Sequence, residues 1–172
     1  RFKMVSTPFS VLALIDSLNV QKTTAEIYAQ NKYPSCSTVP KPTVQTHGMI
    51  RIGYFSADFH DHATMHLMAE MFEHHDKDRF EIYAFSFGPC TNDEWQERSR
   101  RSFTQFIECR NKSDEEITTL SRSLNIDVAI DLKGSTQDCR TNIFAKRVAP
   151  IQVNFLGYPG TILSTKLQQK VF

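Results

Sequence analysis

Apolar and polar positions along the chain follow two different patterns, and the change between them falls near residue 48. Before this point, apolar residues recur at helical spacing and predict two short helices, over residues 9–15 and 20–31. Residues 33–48 carry three prolines among small polar residues, a composition typical of an extended linker. We therefore expect a helical segment over residues 1–32, then a linker, then a separate domain.

After residue 48, β-rich apolar runs alternate with segments of helical periodicity. The pattern predicts strands over 49–57, 80–87, 103–108, 126–132 and 151–155, and helices over 64–75, 92–102, 113–124 and 141–147. Such alternation is typical of a parallel sheet with helices on both faces. We therefore predict an α/β fold, with a Rossmann-like domain over residues 49–161.

Two apolar runs indicate which parts of this domain are buried. Residues 128–130 show no polar alternation, as expected of a strand covered on both sides. The helix over 64–75 has five large apolar residues at intervals close to the helical period, and we expect all five to face the core. They are Met65, Leu67, Met68, Met71 and Phe72.

Charge and hydropathy exclude several classes of function. The formal net charge of +1 provides no concentrated basic face for nucleic acid or a membrane surface. No apolar run approaches the roughly 20 residues that cross a bilayer, and the first residues lack a signal-peptide pattern. We expect a cytoplasmic protein with neither a nucleic-acid partner nor a membrane partner.

Cysteine and histidine spacing gives no support for a metal site. The four cysteines are far apart and form no CxxC pair, so we expect reduced thiols rather than a disulfide framework or a zinc site. His60, His62 and His66 are close in sequence, but the first two precede the predicted helix, which is not the i, i+4 arrangement of a zinc pair. We therefore expect no bound metal.

Three polar loops follow predicted strands, over residues 56–64, 133–138 and 156–161. In an open parallel sheet all three leave the carboxyl ends of strands, which is where such folds bind their ligands. Glycines and hydrogen-bonding side chains at one edge predict a pocket for a polyhydroxylated or phosphorylated ligand. The GxGxxG and P-loop patterns do not occur in the sequence, so a dinucleotide or P-loop site is not indicated.

The first loop holds the main candidate for chemistry. A helix that starts after it offers free N–H groups and the positive end of its dipole, which attract phosphate. We expect Thr64 or Asp61 to cap that helix. His62 can donate a hydrogen bond to a phosphate or a sugar hydroxyl and exchange protons near neutral pH. Asp58 can either orient His62 or simply hold the turn.

Two strings of residues resemble one known family. The first reads GYFSADF over residues 53–59 and is followed by His62, and the second reads APIQVNFLGYPGT over residues 149–161. Together they resemble the catalytic region of the protein O-GlcNAc transferase family, the glycosyltransferases of family 41 that carry tetratricopeptide repeats and include SPINDLY-like proteins. The similarity extends from about residue 8 to residue 161.

The resemblance implies an enzyme of the GT-B fold, in which two Rossmann-like domains face each other across a cleft. Such enzymes transfer N-acetylglucosamine from UDP-N-acetylglucosamine to Ser or Thr of acceptor proteins, and the resemblance implies no metal or other cofactor. This chain is similar to the N-terminal domain of that pair. Residues 162–172 then form a divergent tail, and the C-terminal donor-binding domain and the tetratricopeptide repeats lie outside the chain. We expect little activity from the chain alone.

The resemblance also implies roles for particular residues. His62 matches the active-site histidine of the family, either as a base or as a hydrogen-bond donor. The loop that lines the sugar pocket matches a second set of residues, and a neighbouring loop matches a third. The expected substrate-binding residues are Asp58, Thr64, Lys133, Gly134, Leu156, Gly157, Tyr158, Pro159 and Gly160.

One residue departs from the pattern of the family, and two alternative functions fit the same sequence. The family usually has an aromatic residue where this chain has Ser135, which changes one contact of the pocket. Because the donor is selected mainly by the other domain, a related enzyme that uses another hexose, for example transferring glucose to Asn, is one alternative. A noncatalytic protein-binding remnant is the other.

Overall fold

A parallel β-sheet organises the computed structural model, which describes residues 6–33, 42–43 and 48–158 and the backbone of 169–171. The strands are β1 (Ile50–Ser56), β2 (Phe80–Ser86), β3 (Gln105–Glu108), β4 (Val128–Asp131), β5 (Ile151–Asn154) and β6 (Gln169–Val171). The helices are α1 (Pro8–Leu14), α2 (Leu18–Lys32), α3 (Ala63–Glu73), α4 (Glu94–Ser102), α5 (Asp114–Ser123) and α6 (Asn142–Ala145).

The strand order is β3-β2-β1-β4-β5-β6, and every described pairing is parallel. From β1 the sheet grows in one direction through β2 and β3. The chain then returns to β1 and adds β4, β5 and β6 on the other side of that strand. This reversal places a topological switch point between β1 and β4, where open α/β sheets bind ligands outside the carboxyl ends of the strands.

Helices cover both faces of the sheet because alternate side chains of β1 point to opposite sides. Phe55 is fully buried on one face, where its ring stacks on Phe85 at 4.3 Å and meets Phe144 of α6. Tyr54 is buried on the other face, against Phe72 of α3 and Phe103. The predicted Rossmann-like α/β fold is confirmed.

Helix α3 corrects one expectation about the core. Met65, Met68 and Phe72 are buried, as predicted, but Leu67 is 70% exposed and Met71 is 37% exposed. Positions 65, 68 and 72 follow the i, i+3, i+7 spacing of one helical face, whereas positions 67 and 71 lie on the opposite side of the helix. The number of apolar residues in this segment therefore predicted a wider buried face than α3 has.

The helical segment packs against the loop that follows β5. Thr7 caps α1 by accepting from the Ser10 N–H, and Pro8 occupies the first turn, where its missing N–H costs nothing. Ala25 and Ala29 of α2 are buried in a small cluster with Tyr158. Most of the expected linker and most of the expected divergent tail lie outside the described residues, although β6 pairs with β5. The division into domains stays a prediction.

Candidate functional site

A buried ion pair lies where β1 and β4 end, at the switch point of the sheet. The Lys133 Nζ donates to Asp58 Oδ1 at 3.0 Å and to Asp58 Oδ2 at 2.8 Å. Each residue is only 6% exposed. Charges removed from water in this way are tolerated only when each one has a partner at hydrogen-bonding distance, so the two side chains form one unit.

Two short turns place this pair. After β1, the Ser56 hydroxyl accepts from the Asp58 N–H at 3.0 Å. After β4, Asp131 Oδ1 accepts from the N–H groups of Lys133 and Gly134 at 2.9 and 3.0 Å, and Gly134 has a φ of 58°. These are Asx and Ser turns, which Asp and Ser favour because their short side chains reach the backbone two or three residues on.

His62 is the N-cap of α3. Its backbone is extended, and its Nδ1 accepts from the Thr64 N–H at 3.1 Å. The expected cap, Thr64 or Asp61, is therefore wrong: Thr64 is buried beside the imidazole, and Asp61 instead pairs with His66 Nε2 at 2.8 Å. An unprotonated ring nitrogen carries a lone pair, so it can accept a backbone N–H at a helix start in place of the usual side-chain oxygen.

The cap also determines which nitrogen of His62 carries the proton. Because Nδ1 accepts a backbone N–H, the neutral ring has its proton on Nε2, an assignment made from the hydrogen-bond network. The side chain is 42% exposed, and Nδ1 lies 3.7 Å from Asp58 Oδ2. His62 is therefore held beside the buried ion pair as a hydrogen-bond donor through Nε2.

The loop after β5 lies directly against the loop after β4. A Cβ on Gly157 would fall 2.0 Å from the Leu132 carbonyl oxygen, so only glycine allows this approach. Leu156, with a φ of 72°, is 40% exposed beside it. The Tyr158 ring is buried and faces Phe9 of α1 at 6.4 Å, so its side chain packs on the helical segment. Pro159 and Gly160 lie outside the described residues.

The structure thus brings the three predicted loops together, and it reveals one association that the sequence did not indicate. Asp58 and Lys133 are 75 residues apart in the chain, and spacing carries no signal of their contact. The turn-forming roles of Ser56 and Asp131 were also missed, although a short polar residue at a strand end is a recognisable turn signal.

The arrangement fits a ligand that carries hydroxyl or phosphate oxygens. The Nε2–H of His62 presents a donor at the start of α3, where the helix dipole is positive, at the carboxyl end of the sheet. Among the described residues, no group of three or more His, Cys, Asp or Glu side chains could hold a metal ion. None of the helices in that part of the chain is long and apolar enough to cross a membrane.

Comparisons with known proteins identify the family of the chain. The model of glycosyl transferase family 41 matches residues 17–169. The probable UDP-N-acetylglucosamine–peptide N-acetylglucosaminyltransferase SEC of Arabidopsis thaliana is 34% identical over 122 residues, which cover 71% of this chain and 12% of the relative. The UDP-N-acetylglucosamine–peptide N-acetylglucosaminyltransferase of Caenorhabditis elegans is 34% identical over 124 residues, which cover 69% of this chain and 10% of the relative.

A solved structure shows the same likeness in three dimensions. A mutant of the Thermobaculum terrenum O-GlcNAc transferase superposes with a TM-score of 0.75 at 26% identity, covering 84% of this chain and 28% of that one. This chain spans about a tenth of the length of each of the two curated relatives, from Arabidopsis thaliana and Caenorhabditis elegans. The family match includes most of the chain and both strings that carry the resemblance, so the chain belongs to glycosyl transferase family 41.

Proposed function

We propose that this chain supplies part of the active site of a protein O-linked N-acetylglucosaminyltransferase, which transfers the sugar from UDP-N-acetylglucosamine to Ser or Thr of proteins. The relatives are named as peptide N-acetylglucosaminyltransferases that use this donor. The observation that carries the proposal is the group of His62, Asp58 and Lys133 at the switch point of the sheet. The same proposal includes a cytoplasmic location and a parent chain with tetratricopeptide repeats.

The reaction forms one bond and breaks another at the anomeric carbon of the sugar. The acceptor hydroxyl oxygen bonds to that carbon while the bond to the UDP oxygen breaks, UDP leaves with the electron pair, and the hydroxyl proton is released. Negative charge therefore grows on the diphosphate. Fixed donors aimed at such charge stabilise the transition state without a metal ion.

Each residue of the group has a role in this reaction. His62 donates through Nε2 to an oxygen of the donor substrate, since its Nδ1 is engaged by the Thr64 N–H. The ion pair of Asp58 and Lys133 holds the turns after β1 and β4 together beside His62. The loop from Leu156 to Gly160 lines the sugar, and the glycine at 157 lets the backbone approach the neighbouring loop.

Two variants of His62 separate its chemistry from its structural role. Asn replaces Nδ1 with an amide oxygen that caps α3, but its side chain is too short to reach the position of Nε2. Ala removes both functions. We expect His62→Ala to cost about 1 kcal/mol of stability and His62→Asn to cost little, whereas both variants lower transfer about 100-fold or more.

The measurement is radiolabel transfer to a protein mixture by the chain fused to the rest of the catalytic region of a relative. UDP-N-acetylglucosamine and UDP-glucose are compared as donors, with urea unfolding of each variant as the stability control. Full transfer by His62→Asn would remove His62 from the chemistry. Transfer from UDP-glucose alone would assign another hexose, and transfer from neither donor would favour a noncatalytic protein-binding role.

A further inference from the structure

The loop after β2 lies directly against the loop after β1, which leads to His62. The Phe87 N–H donates to the Ser56 carbonyl oxygen at 3.0 Å. A Cβ on Gly88 would fall 1.8 Å from the Ala57 carbonyl oxygen, so a larger residue at position 88 would push the two backbones apart. The loop after β2 thus supports the loop of His62 on the side of β1 that is opposite to β4.

Asp93 ends this loop as the N-cap of α4, and its carboxylate joins three parts of the chain. Its Oδ1 accepts the capping hydrogen bond from the Gln96 N–H at 2.8 Å. Its Oδ2 accepts from the Thr91 hydroxyl at 2.6 Å and from the Asp61 N–H at 3.1 Å. Asp61 belongs to the loop after β1 and directly precedes His62, the N-cap of α3. One side chain therefore joins the starts of α3 and α4.

The side chain of Gln96 holds the segment that carries Asp93. Gln96 is fully buried, and its Oε1 accepts from the N–H groups of Thr91 and Asn92 at 3.1 and 3.0 Å. Its Nε2 donates to the Pro89 carbonyl oxygen at 3.0 Å. A buried amide that is engaged at both its oxygen and its nitrogen makes a loop rigid, because each lost hydrogen bond would leave a buried polar group without a partner.

Asp93 is charged when it accepts these bonds. Burial raises the pKa of Asp93, but its three hydrogen bonds and the nearby His60 outweigh this effect, so the pKa lies below its ordinary value. Hydrogen bonds to a carboxylate are stronger than hydrogen bonds to a neutral oxygen. The bond from the Asp61 N–H therefore ties the loop after β1 to a charged acceptor on a rigid neighbour.

We propose that Asp93 is a positioning residue for His62, because it holds the Asp61 backbone and thereby fixes the residue that caps α3. His62 has to keep an extended backbone while its Nδ1 accepts from the Thr64 N–H. A loop that is tied immediately before the cap has less conformational freedom to lose when Nε2 meets a substrate oxygen. The N-cap of α4 thus also serves the neighbouring helix.

Two variants separate the link to Asp61 from the cap of α4. Serine and asparagine both cap helices about as well as aspartate does. Each has only one accepting oxygen, so neither Asp93→Ser nor Asp93→Asn can keep the cap and the Asp61 bond together. Ser113→Ala is the matched control, because Ser113 caps a different helix, α5, by accepting from the Glu116 N–H at 3.2 Å.

Amide hydrogen exchange of the chain tests the structural step. Loss of the link is expected to speed exchange of the Asp61 and Thr64 amides about five- to tenfold in Asp93→Ser and Asp93→Asn. The Gln96 amide should keep its protection, and urea unfolding should change little, because the cap remains. Unchanged exchange at Asp61 and Thr64 in both variants would overturn the proposal. The same acceleration in Ser113→Ala, or equal acceleration throughout the sheet, would also overturn it.

The consequence for catalysis rests on the proposed function and is measured separately, in the fused form. Asp93→Ser is expected to lower kcat about fivefold and to leave the KM for acceptor protein unchanged, because His62 acts on the donor substrate. In the His62→Asn background, the same substitution should lower kcat no further, since the group that Asp93 positions is already gone. An equal loss in both backgrounds would overturn the action through His62.

The two experiments fail independently of each other. If the unmodified fusion transfers no sugar, the proposed function fails, but the exchange result still decides whether Asp93 fixes the loop of His62. Faster exchange at Asp61 and Thr64 with an unchanged kcat would overturn the catalytic consequence alone.

Discussion

At the scale of single residues, the Asp58–Lys133 pair sets the balance between stability and function. Two buried charges gain little net free energy from folding, because their attraction is offset by the loss of hydration. Either charge buried without its partner is strongly unfavourable. The pair at the switch point therefore adds little to the net stability of the sheet, although each charge needs the other to be buried there.

Removing only one member of the pair should reveal this dependence. We expect Lys133→Met to lower the free energy of unfolding by about 3–5 kcal/mol, because Asp58 is left buried without a partner. The double variant Asp58→Asn/Lys133→Met should recover much of that loss. Urea unfolding gives both values, with the exposed Lys112→Met as control. A double variant no more stable than Lys133→Met would show that the loss comes from packing.

A second residue-scale prediction concerns pH. Burial lowers the pKa of His75, whose Nε2 lies 2.8 Å from the Tyr54 hydroxyl. Burial also raises the pKa of Tyr54, so the phenol stays protonated and donates to a neutral imidazole. Because the unfolded chain protonates His75 first, stability is fully present above about pH 6.5 and falls as the pH drops towards the folded value. Lys77 and Arg101 line the same cavity as His75.

The variant His75→Gln isolates this effect, because the Gln side chain accepts from Tyr54 without titrating. Urea unfolding between about pH 7.5 and about pH 5 should show a smaller loss of stability for His75→Gln than for the unmodified chain. The exposed neighbour His74 is the control, and His74→Gln should follow the unmodified chain. Parallel pH profiles for all three proteins would contradict the assignment.

At the scale of elements, periodicity predicted β1 to β5 and the helices between them because each has to bury a face, but it did not predict β6, which lies in the segment expected to be a divergent tail. The ends were less predictable, since caps and turns decide them. The expected helix over 141–147 is only α6, Asn142–Ala145, because Arg147 has a φ of 59° that no helix continues. The contact of Asp58 with Lys133 could not be predicted either, because it depends on how two strand-end turns are oriented.

The loop after β5 gives an element-scale prediction. In Gly157→Ala the new methyl group would overlap the Leu132 carbonyl oxygen and approach Lys133 Cα, which are backbone atoms that cannot rotate away. We expect a loss of about 1–3 kcal/mol in the free energy of unfolding. Gly48→Ala is the control, since a Cβ there meets nothing within 4 Å. Thermal unfolding compares the two, and equal stability of both variants would refute the close approach.

At the scale of the whole molecule, the described residues join the helical segment to the sheet domain through a small cluster around Tyr158. The two large cores lie on the two faces of the sheet, whereas the segment contributes to a third cluster around Tyr158. The sequence predicted the helices of the segment, but the small apolar residues of α2 gave no signal of the surface that they contact. A segment held by so small a cluster should be able to undock without unfolding the sheet.

Ala25→Arg tests whether α2 undocks as a unit. Ala25 is 1% exposed, and an arginine there can avoid burial of an unpaired charge only if α2 moves away. We expect the amides of α2 to lose protection from hydrogen exchange and those of β1 to keep theirs. Gln30→Arg, on the exposed side of α2, should change neither. Loss of protection in β1 as well would mean that the segment and the sheet unfold together, in which case the packing of Tyr158 against α2 would couple the loop after β5 to the stability of the entire chain.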